Sequence, residues 1–182
     1  MSQKKFILTI SGHDPTCAAG MTMDVMVANK FNIHCLSVIS NLTIQDAKKL
    51  HKIINVDEKF FKESLKKLTK NFKVSGIKIG ALSSNKIIEE TANFVKTKSK
   101  IPIIIDPIIK AGGGGLFLKK ENLNLALKNL YPLATLITPN REELLGLTGF
   151  NKITDSIKKL QDLGIDKVYV TGNEINKKIV NM

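Results

Sequence analysis

Five residues, Ile101-Pro102-Ile103-Ile104-Ile105, form a run without a polar member, and Asp106-Pro107 closes it. So short a run of β-branched residues suits a strand covered on both faces, as in the middle of a parallel sheet. Parallel neighbours are reached only through crossover connections, usually helices, so this run sets a demand on the rest of the chain. A carboxylate at the end of such a strand lies at the sheet edge where α/β proteins bind ligands. The glycines Gly112 to Gly115 that follow Ala111 let backbone approach a ligand closely and let the loop move. Taken alone, Asp106-Pro107 reads equally well as an Asp-Pro turn into a loose connection.

The remaining pattern meets the demand. Strands are expected at Phe6–Ile10, Cys35–Ile39, Val74–Ile79, Ala134–Thr138 and Lys167–Thr171. Between them lie helical segments from about Ala18 to Lys30, Asp57 to Lys70, Asn85 to Lys96, Asn122 to Leu130, from Arg141, and from Thr154 to Leu163. Asp57 is well placed as an N-cap for Phe60, Phe61, Leu65 and Leu68 at helical spacing. Strand and helix alternating in this way predict an α/β domain over residues 1–182, with a mainly parallel sheet flanked by helices. After Thr171-Gly172 only a short basic tail follows, so the sheet is expected to be incomplete at its C-terminal end.

Composition narrows the function classes. With 182 residues, 43% hydrophobic and 24% charged, the chain has the make-up of an ordinary globular domain. No apolar stretch approaches the roughly 20 residues that cross a bilayer, and Phe6–Ile10 is too short for a signal segment. A cytoplasmic protein without a membrane partner is expected. Cys17 and Cys35 stand far apart with no metal-ligand spacing. The net charge of +12 invites a nucleic-acid partner, but Arg141 is the sole arginine and aromatics are 5%. Bidentate and stacking contacts lack their residues, so no nucleic acid is expected.

Polar sets gather at strand ends. Ser11-Gly12-His13-Asp14-Pro15-Thr16-Cys17-Ala18-Ala19-Gly20 leads into a helix containing Asp24. Asp106-Pro107 is the second set, and Thr138-Pro139-Asn140-Arg141-Glu142-Glu143 the third. In a parallel sheet all three lie on one edge and can converge. Small residues at the first helix start offer backbone N–H groups to an anion. Asp106 and Glu143 are oxygen donors suited to a hard divalent cation. Asn140 and Glu143 also read as a plain capping box, and no P-loop sequence is present.

Together these residues resemble the hydroxymethylpyrimidine/phosphomethylpyrimidine kinases of thiamine biosynthesis, members of the ribokinase-like superfamily. The resemblance runs from about Lys5 to Gly172. It rests on Thr9-Ile10-Ser11-Gly12-His13-Asp14-Pro15, Ala19-Gly20, Asp24, Gln45, Lys78-Ile79-Gly80, Asp106-Pro107, Leu133 to Asn140 with Glu143, and Leu147-Thr148-Gly149. It implies a three-layer α/β/α fold and ATP- and Mg²⁺-dependent phosphorylation of 4-amino-5-hydroxymethyl-2-methylpyrimidine and its monophosphate. By the same resemblance Gly12, Asp24 and Gln45 bind the aminopyrimidine, and Asn140, Thr171 and Gly172 bind the nucleotide. Asp106 and Glu143 organise the metal, and a homodimer is a further expectation.

Departures from the family pattern accompany these matches. Cys17-Ala18 stands where a Gly-Gly pair is usual, Thr22 replaces a glutamine, and Ala81 replaces a methionine over the pyrimidine. Gly112 replaces a loop lysine, with Lys110 two positions earlier. No Gly-x-Gly-Cys or Gly-x-Gly-Asp segment follows Gly172, so no catalytic base is assigned. Loss of one preorganised oxyanion donor typically costs about 10²–10³ in rate, so weak turnover is expected of a 182-residue product. The alternative reading is a silent pyrimidine- or partner-binding relic of such a kinase. A sibling kinase acting on pyridoxal or a sugar is a third.

Overall fold

The computed structural model describes residues 5–98, 100–111, 114–175 and 178–181. Its centre is a six-stranded sheet in the order β3-β2-β1-β4-β5-β6. The strands are β1 Phe6–His13, β2 His34–Gln45, β3 Leu50–Asn55, β4 Val74–Ile79, β5 Ile103–Ile105 and β6 Leu136–Ile137. All neighbours run parallel except β2 and β3, which form an antiparallel hairpin. The fold is α/β with a mainly parallel sheet, as expected. Strand order reverses between β1 and β4, and in open α/β sheets ligands bind at such a switch, beyond the strands' carboxyl ends.

The helices are α1 Gly20–Lys30, α2 Glu58–Asn71, α3 Asn85–Lys96, α4 Lys120–Asn129, α5 Arg141–Thr148 and α6 Ile153–Asp162. Local chemistry sets several starts. Asp57 accepts the Phe60 amide at 2.9 Å to begin α2, and Ser84 accepts the Ile87 amide at 3.2 Å to begin α3. Helix α1 starts at Gly20 rather than Ala18 and has no side-chain cap. Helix α4 starts at Lys120, two residues before the expected Asn122.

Helix α1 reaches the sheet through Asp24, which bonds to Thr9 of β1 and Lys78 of β4. Its face therefore carries Ile7, Thr9, Gly76, Lys78, Ile104 and Leu136, which the register aligns. The opposite face carries Leu8, Ile10, Ile77, Ile79, Ile103, Ile105 and Ile137, none more than 3% exposed. Helix α2 packs on β2 and α3, and α3 on α4. Right-handed crossovers put α3 and α4 on this second face, opposite α1.

Here the isoleucine run departs from expectation. Ile103 and Ile105 are buried, but Ile104 on the α1 face is only half-buried. The strand is closed on one side and partly open on the other. Ile101 and Pro102 stand outside it, although the Pro102 carbonyl still accepts the Ile77 amide at 2.9 Å.

Other segments differ from expectation too, and β2 runs on to Gln45 where the expected strand stops at Ile39. Strand β3 was not foreseen. Over 134–138 only Leu136 and Ile137 pair as a strand. Residues 167–171 are no continuous strand, yet they follow β6 in parallel, with bridges Ile137–Val168 and Asn140–Thr171. Beyond Gly172, β7 (Asn173–Ile175) and β8 (Lys178–Val180) form an antiparallel pair where a plain tail was expected.

Candidate active site

A cavity of about 570 Å³ opens at the carboxyl ends of β1, β2, β5 and β6, a size typical of small-molecule sites. Its walls bring together all three polar sets. Gly12, Asp14, Thr16 and Gly20 come from the first, Asp106 and Ile108 from the second, and Thr138, Asn140 and Glu143 from the third. The β2–β3 hairpin adds Thr43, Gln45, Asp46 and Leu50.

The first loop is shaped by one carboxylate. Asp14 Oδ1 accepts the Thr16 amide and hydroxyl, both at 2.8 Å, and Oδ2 accepts the Ala19 amide at 3.0 Å. Burial pushes the Asp14 carboxyl up. The Thr16 donors, the Gln45 side chain and the Ala19 amide outweigh it and leave the group below its usual range. Asp14 thus folds the loop rather than standing free for a ligand. Two glycines are forced here. A Cβ on Gly12 would lie 2.5 Å from Asn41 Oδ1. Gly20 has φ +64°, and a Cβ there would lie 2.5 Å from the Gly12 carbonyl oxygen. Cys17, where the family has glycine, also adopts a left-handed φ of 58°, which is strained for a residue with a Cβ.

At the other end stand two carboxylates. Asp106 follows β5, where burial raises its carboxyl, the Lys78 ammonium lowers it and Asp24 raises it again; the net direction is upward. Glu143 is raised by burial and by the charge of Asp106, while the amides of Asn140 and Ile109 pull it down. The capping box exists as read: Asn140 Oδ1 accepts the Glu143 amide at 2.8 Å, and Glu143 Oε2 accepts the Asn140 amide at 2.9 Å. It also aims Glu143 at the cavity, so the structural and ligand-binding readings of these residues coexist.

Among the expected site residues, Gly12, Gln45, Asp106, Asn140, Glu143 and Thr171 line this one cavity. Asp24 and Gly172 do not. Asp24 lies one helical turn beyond Gly20, engaged by Thr9 and Lys78. Gly172, at φ +67°, packs toward the Asn140 side chain, and its amide donates to Asn181 Oδ1 at 3.3 Å. The wall also holds Ala81 and Thr138, together with Thr43, Lys49, Leu50 and Phe117, which the sequence does not single out. Most belong to the hairpin and to the loop after β5, whose placement depends on strand pairing. Lys110 lines the cavity and bridges Leu116 across the glycine loop. The described residues on either side are held together, with the Ala111 amide donating to the Gly115 carbonyl at 2.9 Å. Gly112, the position of the family's lysine, lies outside the described residues.

Comparison with known proteins agrees with this geometry. The family model for phosphomethylpyrimidine kinase matches residues 14–182. The hydroxymethylpyrimidine/phosphomethylpyrimidine kinase of Aquifex aeolicus is 27% identical over 173 residues, covering 92% of this chain and 68% of that protein. Its counterpart from Haemophilus influenzae is 30% identical over 177 residues, covering 94% and 66%. The crystal structure of phosphomethylpyrimidine kinase from Clostridium difficile superposes with a TM-score of 0.87 at 27% identity, over 98% of this chain and 79% of that one. The chain spans about two thirds of the length of these two sequence relatives.

Proposed function

The chain belongs to the phosphomethylpyrimidine kinase family, and from that premise we propose that its cavity binds an aminopyrimidine carrying a hydroxymethyl group and orients it for phosphorylation by ATP. The substrates in this reading are 4-amino-5-hydroxymethyl-2-methylpyrimidine and its monophosphate. The observation that carries it is one cavity with two unlike ends. At one end Gly12, Ala81 and Ile108, with the Gln45 amide, offer small and apolar surface suited to a small flat ring, and Asp106, Thr138, Asn140, Glu143 and Thr171 form a polar end suited to phosphates.

The polar end fits Mg²⁺. Asp106 and Glu143 are both raised by burial, and the Asp106 charge raises Glu143 further, as expected of two acids awaiting a shared cation. Among the described residues no third His, Cys, Asp or Glu joins them. That suits an ion that keeps waters and phosphate oxygens in its shell. When bound, Mg²⁺ would neutralise phosphate charge. The protein's own contribution is positional. Asn140 and Thr171 stand where they can meet phosphate oxygens, and Gln45 offers an amide to the ring. Phosphoryl transfer depends on such positioning and charge stabilisation more than on covalent chemistry.

An ATP-coupled assay with calorimetry tests the reading. The hydroxymethyl aminopyrimidine should bind, and ATP should bind more tightly with Mg²⁺ than with EDTA. Pyridoxal serves as competitor, because the pyridoxine kinase of Bacillus subtilis is 28% identical to this chain. Tighter binding of pyridoxal would redirect the substrate assignment, and failure of both rings would overturn it. Exposed apolar residues Val25, Met26 and Val27 on α1, with Phe31 at its C-cap, support a homodimer, which sedimentation of the purified chain would reveal.

A further inference from the structure

Lys78 is an inward-facing lysine at the strand switch, and no role in the proposed reaction has been attached to it. It is the register partner of Thr9 across β1 and β4, so both side chains rise from the face that α1 covers. Asp24 on α1 meets both. Its Oδ2 accepts from Thr9 Oγ1 at 2.5 Å and from Lys78 Nζ at 3.1 Å. Thr9 is fully buried, and the Lys78 and Asp24 side chains are only 25% and 20% exposed. Space for the ammonium comes from Gly80. A Cβ there would strike Ser11 Oγ and come within 3.0 Å of Lys78 Nζ.

This arrangement differs from a surface ion pair. Two donors from adjacent strands converge on one carboxylate oxygen, and among the described residues Oδ1 has no hydrogen-bond partner. One oxygen is anchored and the other remains an acceptor, one helical turn from Gly20 on the cavity wall. The Lys78 charge also lies near enough to Asp106 to offset part of that carboxylate's burial.

We propose that Lys78 is a positioning residue for the ring end of the site: with Thr9 it fixes Asp24 through Oδ2 and so presents Oδ1 to the amino group of the pyrimidine. The proposal rests on Asp24 as the aminopyrimidine acceptor. It adds that Asp24 is an effective acceptor only while a cation on β4 holds it. Lys78 acts on the ring through Asp24, while at the phosphate end its charge reaches Asp106 only at longer range.

Calorimetry on the full chain separates the possibilities, using the hydroxymethyl aminopyrimidine and, separately, ATP with Mg²⁺. A charge-assisted hydrogen bond is strong enough that Lys78→Met should weaken pyrimidine binding by about tenfold or more, with affinity for ATP and Mg²⁺ changed by a clearly smaller factor through the longer-range effect on Asp106. Lys78→Arg, which keeps a cation, should recover most of the loss. If Lys78→Met does not fold, Lys78→Gln gives the same comparison with a neutral donor at the same position. An equal fall of both affinities, or no recovery by arginine, would show a merely structural role and overturn the proposal. If Asp24→Asn weakens pyrimidine binding while the neutral Lys78 variants do not, the proposal fails and the reading of Asp24 stands. If Asp24→Asn itself has no effect, the reading of Asp24 fails and the proposal falls with it.

Discussion

Adding one methyl group at Gly12 tests the packing beneath the cavity floor. A Cβ at this position would lie 2.5 Å from Asn41 Oδ1, 3.2 Å from its Cγ and 3.3 Å from its Nδ2. Ordinary contact needs roughly 1 Å more than the shortest of these. Asn41 cannot supply it freely, because it is fully buried and its Nδ2 donates to Ser40 Oγ at 3.1 Å and to the Ala81 carbonyl at 3.2 Å. Turning the amide aside breaks both bonds, at about 1 kcal/mol each. Holding it in place forces the β1 end to shift, and overpacking of this kind costs about 1–3 kcal/mol. The fold takes the cheaper of these two routes, so Gly12→Ala should destabilise it by about 1–2 kcal/mol. Because Ala81 lines the cavity, pyrimidine affinity should fall as well. Urea denaturation gives the first quantity and calorimetry the second. Asn41→Ala removes the obstructing amide, so the double variant should be more stable than the two single losses summed, by about 1 kcal/mol or more. Stability of Gly12→Ala within about 0.5 kcal/mol of the parent, or strict additivity in the cycle, would refute the reasoning.

Glu143→Gln keeps an N3 residue able to complete the capping box but removes the charge facing Asp106, so the gain in ATP affinity on adding Mg²⁺ should largely vanish in a titration. The same pair predicts a pH dependence. Both carboxyls are raised in the fold, so their contribution to stability is complete below their ordinary values and is lost as pH rises through the raised ones. The thermal midpoint of the ligand-free parent should fall relative to Glu143→Gln as pH climbs from about 4 toward neutral; parallel profiles would contradict this. Asp57→Ala removes the cap on the Phe60 amide and should cost about 1 kcal/mol in denaturation while leaving both ligand affinities unchanged.

What the sequence shows of the fold follows from which signals are local. Strand β4 and helix α3 stand at the residues their patterns indicate, since Val74–Ile79 and Asn85–Lys96 carry their own periodicity and stops. Strand β3 carries almost none. Only Leu50 is buried in Leu50–Asn55, and Ile54 is 45% exposed, because an edge strand of a hairpin presents neither alternation nor a buried run. The isoleucine run fails in the opposite way. Ile103, Ile104 and Ile105 are chemically identical, and nothing in them says that Ile103 and Ile105 face the buried side of the sheet while Ile104 is left half-buried.

The candidate site divides along the same line. Asp106, Asn140 and Glu143 are visible because each follows a recognisable strand, and a parallel sheet brings such ends to one edge whatever the details. The Asp24–Lys78 pair has no comparable signal. Its members lie 54 residues apart, and a lysine inside an apolar strand reads as a break in the pattern rather than as a partner. Their meeting depends on the reversal of strand order between β1 and β4, which places Thr9 beside Lys78 and α1 above both. The same reversal makes room for the cavity. A half-buried ammonium at that point is stable only with a carboxylate opposite it, so in this fold the electrostatics of the ring end and the topology of the sheet are set by one feature.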